Sequence, residues 1–229
     1  MSTKELLNKN FQAIQTQIQE ATSSAERPAD SVKLVAVTKT VPTDTMRDLF
    51  ALGMKTFGEN RTDVLVKKQA ELADLTDIEW HFIGNLQSRQ VKSIINSIDY
   101  LHSLDRISLA KEIQKRAEDT VKCFVQVNVS GETSKSGFEP SELESTLEQL
   151  AAYDKIQVIG LMTMAPIDAT EAELHQYFKQ LKELQTSIAA QKLTHAPCTD
   201  LSMGMSQDYP IAIAEGATFI RVGSAFFQE

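Results

Sequence analysis

Leu6, Leu7, Phe11, Ile14 and Ile18 recur at intervals of three and four, a single apolar stripe that predicts an amphipathic helix over 3–24. The stretch from Ser24 to Ser31 breaks that pattern with Pro28. From residue 33 onward short apolar runs alternate with amphipathic stretches. The runs at 33–38, 55–60 (a short strand with its loop), 78–84, 100–104, 121–129, 156–164, 200–203 and 218–223 read as strands. Those near 43–53, 61–74, 88–97, 106–119, 141–152, 170–190 and 207–214 read as helices. Pro42 and Thr43 signal a helix entry and Gly53 its stop, Asp105 is placed to cap the helix after strand four, and Ser141 to open the one after strand five. The run at 200–203 is the weakest strand, and the polar loop 130–140 carries Gly131 and Gly137.

Eight strand–helix alternations with short loops predict a parallel sheet covered by helices. Their number and size fit a single (β/α)8 barrel at the lean end of its range, one domain over 1–229, with residues 1–30 an added N-terminal helix and linker. The rival, an open doubly wound sheet, usually carries a Gly-rich turn after its first strand, and Lys39-Thr40-Val41-Pro42 is not one.

Composition removes several classes of function. A formal net charge of −8 over 229 residues disfavours nucleic acid as a partner, although it would not reveal a local basic pocket. Cys123 and Cys198 lie in neither a metal-type nor a CxxC spacing, so reduced thiols in a cytoplasmic protein are expected. The first twenty residues hold no apolar signal-peptide core, and no run approaches 18 apolar residues, so no membrane span is expected. His81, His102, His175 and His195 are scattered, and no metal site is expected.

In such a barrel the chemistry lies at the C-terminal ends of the strands. The first strand ends on Lys39, which by alternation shares a face with Val35 and Val37. An ammonium turned into that core is costly to desolvate, so the amine is either buried without its proton, a nucleophile for an aldehyde, or a surface charge that snorkels out of the strand end. Ser202-Met203-Gly204-Met205-Ser206, between strand seven and a helix, offers hydroxyls and backbone amides to an anion, or is an ordinary turn and helix cap. Gly223-Ser224 ends strand eight, and the loops after strands seven and eight are where this fold often binds phosphate. Arg221, on the same strand face as Gly223, needs an acceptor, either a protein carboxylate or a group on a ligand. A lysine for an aldehyde, a cup for a phosphate and an arginine for a third point together fit pyridoxal 5′-phosphate.

These residues belong to longer motifs: Leu34 to Lys39, Phe57-Gly58-Glu59-Asn60, Trp80 to Gln87, Val127-Asn128-Val129, Gly160 to Met164, Leu201 to Ser206 with Asp208, Arg221 to Ser224, and Lys135-Ser136-Gly137. In them the chain resembles, over nearly its whole length, the pyridoxal phosphate homeostasis (YggS/PROSC) family. The resemblance implies a barrel like the N-terminal domain of alanine racemases, with Lys39 holding the cofactor as an internal aldimine. It implies a phosphate cup of Ser202, Ser206, Gly223 and Ser224, ring neighbours Asn60 and Met162, and Arg221 at the pyridine nitrogen. The implied role is a monomeric, non-enzymatic protein that buffers pyridoxal phosphate and passes it to apo-enzymes. The alternative is an alanine-type amino-acid racemase. Racemases of that type take a second base, a tyrosine, from a further β-rich domain, for which this chain is expected to lack room; Tyr209 is the nearest candidate here.

Overall fold

The computed structural model describes residues 3–132 and 136–228. Eight parallel strands close into a barrel in sequence order: β1 (Lys33–Val37), β2 (Thr56–Glu59), β3 (Glu79–Phe82), β4 (Tyr100–Leu104), β5 (Val121–Gln126), β6 (Ile156–Met162), β7 (Asp200–Met205) and β8 (Phe219–Val222). Closure is made by β1 on β8, with Lys33 opposite Phe219, Val35 opposite Arg221 and Ala36 opposite Val222. Helices α2 (Thr43–Ala51), α3 (Thr62–Glu71), α4 (Val91–Ile94), α5 (Ile107–Arg116), α6 (Leu143–Leu150), α7 (Glu171–Ala190) and α8 (Tyr209–Ala214) follow the first seven strands.

Two apolar clusters divide the burial. The larger lies between strands and helices, and Ala36, Phe57, Leu65, Leu101, Leu161 and Val222 belong to it. The smaller fills the barrel: Val35, Tyr100, Phe124, Ile159, Met162 and Phe219. Strand alternation explains the split, since Val35 points inward while Ala36 points out.

Helix α1 (Thr3–Ser24) lies against α8 and against α9 (Ser224–Phe227), a turn of helix after β8 that the sequence pattern does not predict. Its buried stripe is Leu7, Phe11, Ile14 and Ile18, each removal from water contributing roughly 2 kcal/mol. The ring of Phe11 stacks on Phe226 at 6.0 Å, and Asn10 donates to the carbonyls of Phe226 and Gln228. The N-terminal helix therefore braces the segment that follows β8.

Several expected boundaries shift. Strand seven runs to Met205 rather than Met203: β6 pairs with it through Ser202, and β8 carries it on, with Met205 opposite Arg221. Strand five stops at Gln126, after which Val127 bridges Phe138 in the returning loop. The helix expected over 88–97 is a 3₁₀ turn, Ser88–Gln90, followed by the short α4. Asp105 does not cap α5, since Arg106 takes the N-cap position and holds Asp105 in an ion pair at 2.6 Å. Ser141 lies within a 3₁₀ turn, and Glu139 with Glu142 forms the capping box there. Helix α7 starts on a reciprocal capping box between Thr170 and Glu173.

Candidate functional site

Lys39 is not buried. Strand β1 ends at Val37, Thr38 is fully buried, and Lys39 stands exposed in the turn that follows, at the C-terminal mouth of the barrel. The expectation of an amine desolvated by core packing is therefore corrected, and the turn explains why. The Thr38 amide donates to Gly58 O, closing the ladder with β2. Its carbonyl accepts from Val41 N and from the Lys68 ammonium, 2.7 Å away. Its hydroxyl donates to Glu59 Oε1 at 2.6 Å, and Lys68 reaches the same oxygen at 2.7 Å. The side chains of Lys68 and Glu59 are 7% and 0% exposed. A buried ion pair on the outer face of β1 and β2 thus fixes the residue next to Lys39.

The β1–β8 register carries this position across to the loop after β8. Val37 lies at the level of Gly223, where a Cβ would press on Val37 Cβ at 3.2 Å. Gly223 therefore lets the backbone close down beside β1. Its amide and that of Ala225 both donate to Ser206 Oγ, at 3.1 and 3.3 Å. Two amides converging on one oxygen, with the exposed Ser224 between them, form a small anion-compatible cradle.

Ser202 does not belong to that cradle. It lies inside β7 rather than in a loop, fully buried, and its oxygen takes a hydrogen bond from Arg221 Nη1. Arg221 Nη2 donates to Thr163 O at 3.0 Å. The guanidinium is thus held by two neutral acceptors. Burial pushes it down to about 10, against the opposing charge of Asp208. Asp208 is itself buried and pushed up by that burial, while the Met205 amide and Arg221 oppose the rise. Of the two acceptors the sequence left open, a protein carboxylate is not the one used: the Ser202 hydroxyl and the Thr163 carbonyl hold the guanidinium.

Below Arg221 a polar chain runs through the barrel interior. Ser202 Oγ lies 2.7 Å from His102 Nδ1, His102 Nε2 lies 2.9 Å from His81 Nδ1, and His81 Nε2 lies 2.9 Å from Glu79 Oε1. Lys33 reaches Glu79 at 2.8 Å on the barrel floor, its ammonium over the rings of Tyr100 and Phe219. Burial holds both histidines below their ordinary value, His102 well below it. Two of the four histidines that look scattered in sequence are therefore neighbours. The available signal was parity, since Glu79 and His81 alternate on one strand and Tyr100 and His102 on the next.

Asn60 is exposed at the end of β2. Gly84, after β3, passes so close that a Cβ there would lie 2.0 Å from Asn60 O, so β2 and β3 can converge at the mouth only through a glycine. Met162 is buried in the inner cluster, one residue before the Thr163 carbonyl that holds Arg221. At the ends of β3 to β6 a cavity of about 250 Å³ opens, with Asn85, Ser103, Gln126 and Asn128 in its wall. Lys135 lies outside the described residues. Tyr209 turns away from the mouth, its hydroxyl donating to Gln17 on α1. Among the described residues no group of three or more His, Cys, Asp or Glu is arranged to hold a metal, and no helix is long and apolar enough to cross a membrane.

Residues 10–229 match the family model described as "Alanine racemase, N-terminal domain". The pyridoxal phosphate homeostasis protein of Aquifex aeolicus is 41% identical over 215 residues, 93% of each chain. PipY of Synechococcus elongatus, solved without PLP, superposes with a TM-score of 0.83 at 38% identity, over 92% of this chain and 100% of that one. The form solved with PLP bound gives 0.82 at 37% over the same shares. Alanine racemase from Corynebacterium glutamicum, 16% identical, shares the fold with a TM-score of 0.69 over 97% of this chain and 60% of its own.

Proposed function

The chain belongs to the pyridoxal phosphate homeostasis protein family, and on that premise we propose that it holds pyridoxal 5′-phosphate reversibly at Lys39 and supplies it to apo-enzymes, as a cytoplasmic monomer without turnover of its own. When bound, the cofactor supplies an aldehyde that condenses with a primary amine and releases water.

The residues at the mouth fit such a group. Lys39 offers an accessible amine one strand away from the Gly223–Ala225 cradle. Ser206, Gly223 and Ser224 take the phosphate, with amides already aimed at an oxygen. Asn60, exposed after β2, and Met162, in the inner cluster, would neighbour the ring. Ser202 acts one step removed, as the acceptor that orients Arg221.

Arg221 would be the partner of the ring nitrogen. A guanidinium has only donors and, even pushed down to about 10, keeps its proton at neutral pH. It would therefore offer the nitrogen a hydrogen bond without yielding a proton, leaving the ring a weak electron sink. That suits storage better than chemistry at an amino-acid α-carbon.

The racemase alternative needs a second base at the mouth. Tyr209 is engaged by α1, Tyr100 lies in the barrel floor, and Tyr153 and Tyr177 pack against the outer core. The observation that carries the proposal is a buried Arg221, held by two neutral protein acceptors, on the strand beside the one that leads into the exposed Lys39 turn. The test is reconstitution with the cofactor. Wild type should gain a visible absorption band and restore activity to an apo-enzyme, Lys39→Ala should gain no band, and prolonged incubation with L-alanine should give no D-alanine. A full band in Lys39→Ala, or steady formation of D-alanine, overturns the reading.

A further inference from the structure

The barrel interior carries more polarity than packing requires. Its chain of Glu79, His81, His102, Ser202 and Arg221 has ends of opposite chemistry. A carboxylate only accepts hydrogen bonds, and a guanidinium only donates them. With both histidines neutral, one proton pattern satisfies all four links. His81 donates Nε2–H to Glu79, so its Nδ1 accepts from His102 Nε2–H. His102 Nδ1 then accepts the Ser202 hydroxyl proton, and Ser202 Oγ keeps a lone pair for Arg221. If either imidazole carried its proton on Nδ1 instead, at least one link would set two lone pairs, or two hydrogens, against each other. A second proton on His102 would add a charge beside the buried guanidinium and leave the serine proton without an acceptor in the chain.

We propose that Glu79 is a positioning residue for Arg221, acting through His81, His102 and Ser202. It fixes the tautomer of both imidazoles and so keeps an oxygen lone pair turned toward Nη1. Together with the Thr163 carbonyl on Nη2, this holds the guanidinium plane and leaves its charge directed at the mouth. The role toward a bound ring rests on the cofactor reading above; the proton pattern does not.

The experiment is ring-nitrogen NMR of the cofactor-free full-length protein labelled with ¹⁵N-histidine. Wild type should show His81 and His102 as neutral Nε2–H tautomers at pH 7. Glu79→Leu, which removes the terminal acceptor, should release an Nδ1–H population in at least His81, and Glu79→Gln, which keeps an acceptor oxygen, should restore the wild-type pattern. In cofactor titrations Glu79→Leu should bind about tenfold more weakly, the scale on which orienting hydrogen bonds act, with a shifted absorption maximum. An Nδ1–H or charged imidazole at either position in wild type overturns the proposal, even if Glu79→Leu does not fold, and so does a Glu79→Leu spectrum identical to wild type. Because the NMR measurement needs no cofactor, absence of cofactor binding at Lys39 would leave it standing and count only against the binding reading.

Discussion

Val35 and Arg221 sit opposite each other in the parallel register that closes β1 onto β8. That pairing places two inward-facing rows side by side, Lys33-Val35-Val37 and Phe219-Arg221-Gly223, and sets Lys39 two residues beyond the level of Gly223. It also makes Arg221 hard to replace. Lysine keeps the charge but has no planar fork, so it cannot hold Ser202 Oγ and Thr163 O together. Arg221→Lys should cost about 1–3 kcal/mol in urea denaturation, the price of a buried acceptor left unpaired, and should weaken cofactor binding. Unchanged stability and an unchanged spectrum would show that the fork is dispensable.

The ion pair behind Lys39 gives a second expectation. Lys68 is the cation that neutralises the fully buried Glu59 side chain and also ties down Thr38. Lys68→Met strands a buried carboxylate and should cost roughly 3–5 kcal/mol. The double variant Glu59→Leu/Lys68→Met should recover much of that loss in the same denaturation experiment. Additive losses would mean that the two residues do not act as a pair.

Gly84 gives a third. A methyl group there meets Asn60 O at 2.0 Å, a contact that only backbone displacement relieves. Gly84→Ala should lower stability by about 1–3 kcal/mol and weaken cofactor binding as well, because the displaced segment carries Asn60. Thermal melts and a binding titration check both effects, and a wild-type titration curve would remove Asn60 from the site.

Acid should destabilise the fold in two steps. Burial holds His81 and His102 below their ordinary 6.5, so the unfolded chain takes up protons first. Their contribution is complete above pH 6.5 and declines as the pH falls below it. Burial pushes the Glu79 carboxyl up, but hydrogen bonds from His81 and Lys33 outweigh it and hold the group at about 2, against an ordinary 4.5. That contribution is present above pH 4.5 and is lost as the pH falls toward 2. Melting temperatures of wild type and Glu79→Gln between pH 2 and 8 should converge at the acid end. A constant gap across that range would contradict the assignment.

The eight-fold alternation was legible because each strand is a short apolar run and each helix carries its own stripe. The weak seventh strand was cut short in sequence because Ser202 and Gly204 dilute its apolar run, whereas pairing with β8, with Met205 opposite Arg221, carries it beyond the last β6 partner at Ser202. Ser202, read as the third residue of that strand, was still grouped with the loop hydroxyl Ser206, because the sequence does not show that its side chain is taken up by Arg221. The places of Lys39 and Gly223 just past the ends of β1 and β8 were legible from the alternation alone. Burial of Lys39 was wrongly inferred because alternation gives direction but not where the ladder stops. The interior chain was hidden for a different reason. Glu79, His81, His102, Ser202 and Arg221 come from four strands, and only barrel closure makes them neighbours.

The most direct test of the account is a mass spectrum of protein mixed with pyridoxal phosphate, reduced with borohydride and digested. The spectrum should show one pyridoxyl group per chain, on the peptide containing Lys39. A modification spread over surface lysines, or centred on any lysine other than Lys39, would contradict it.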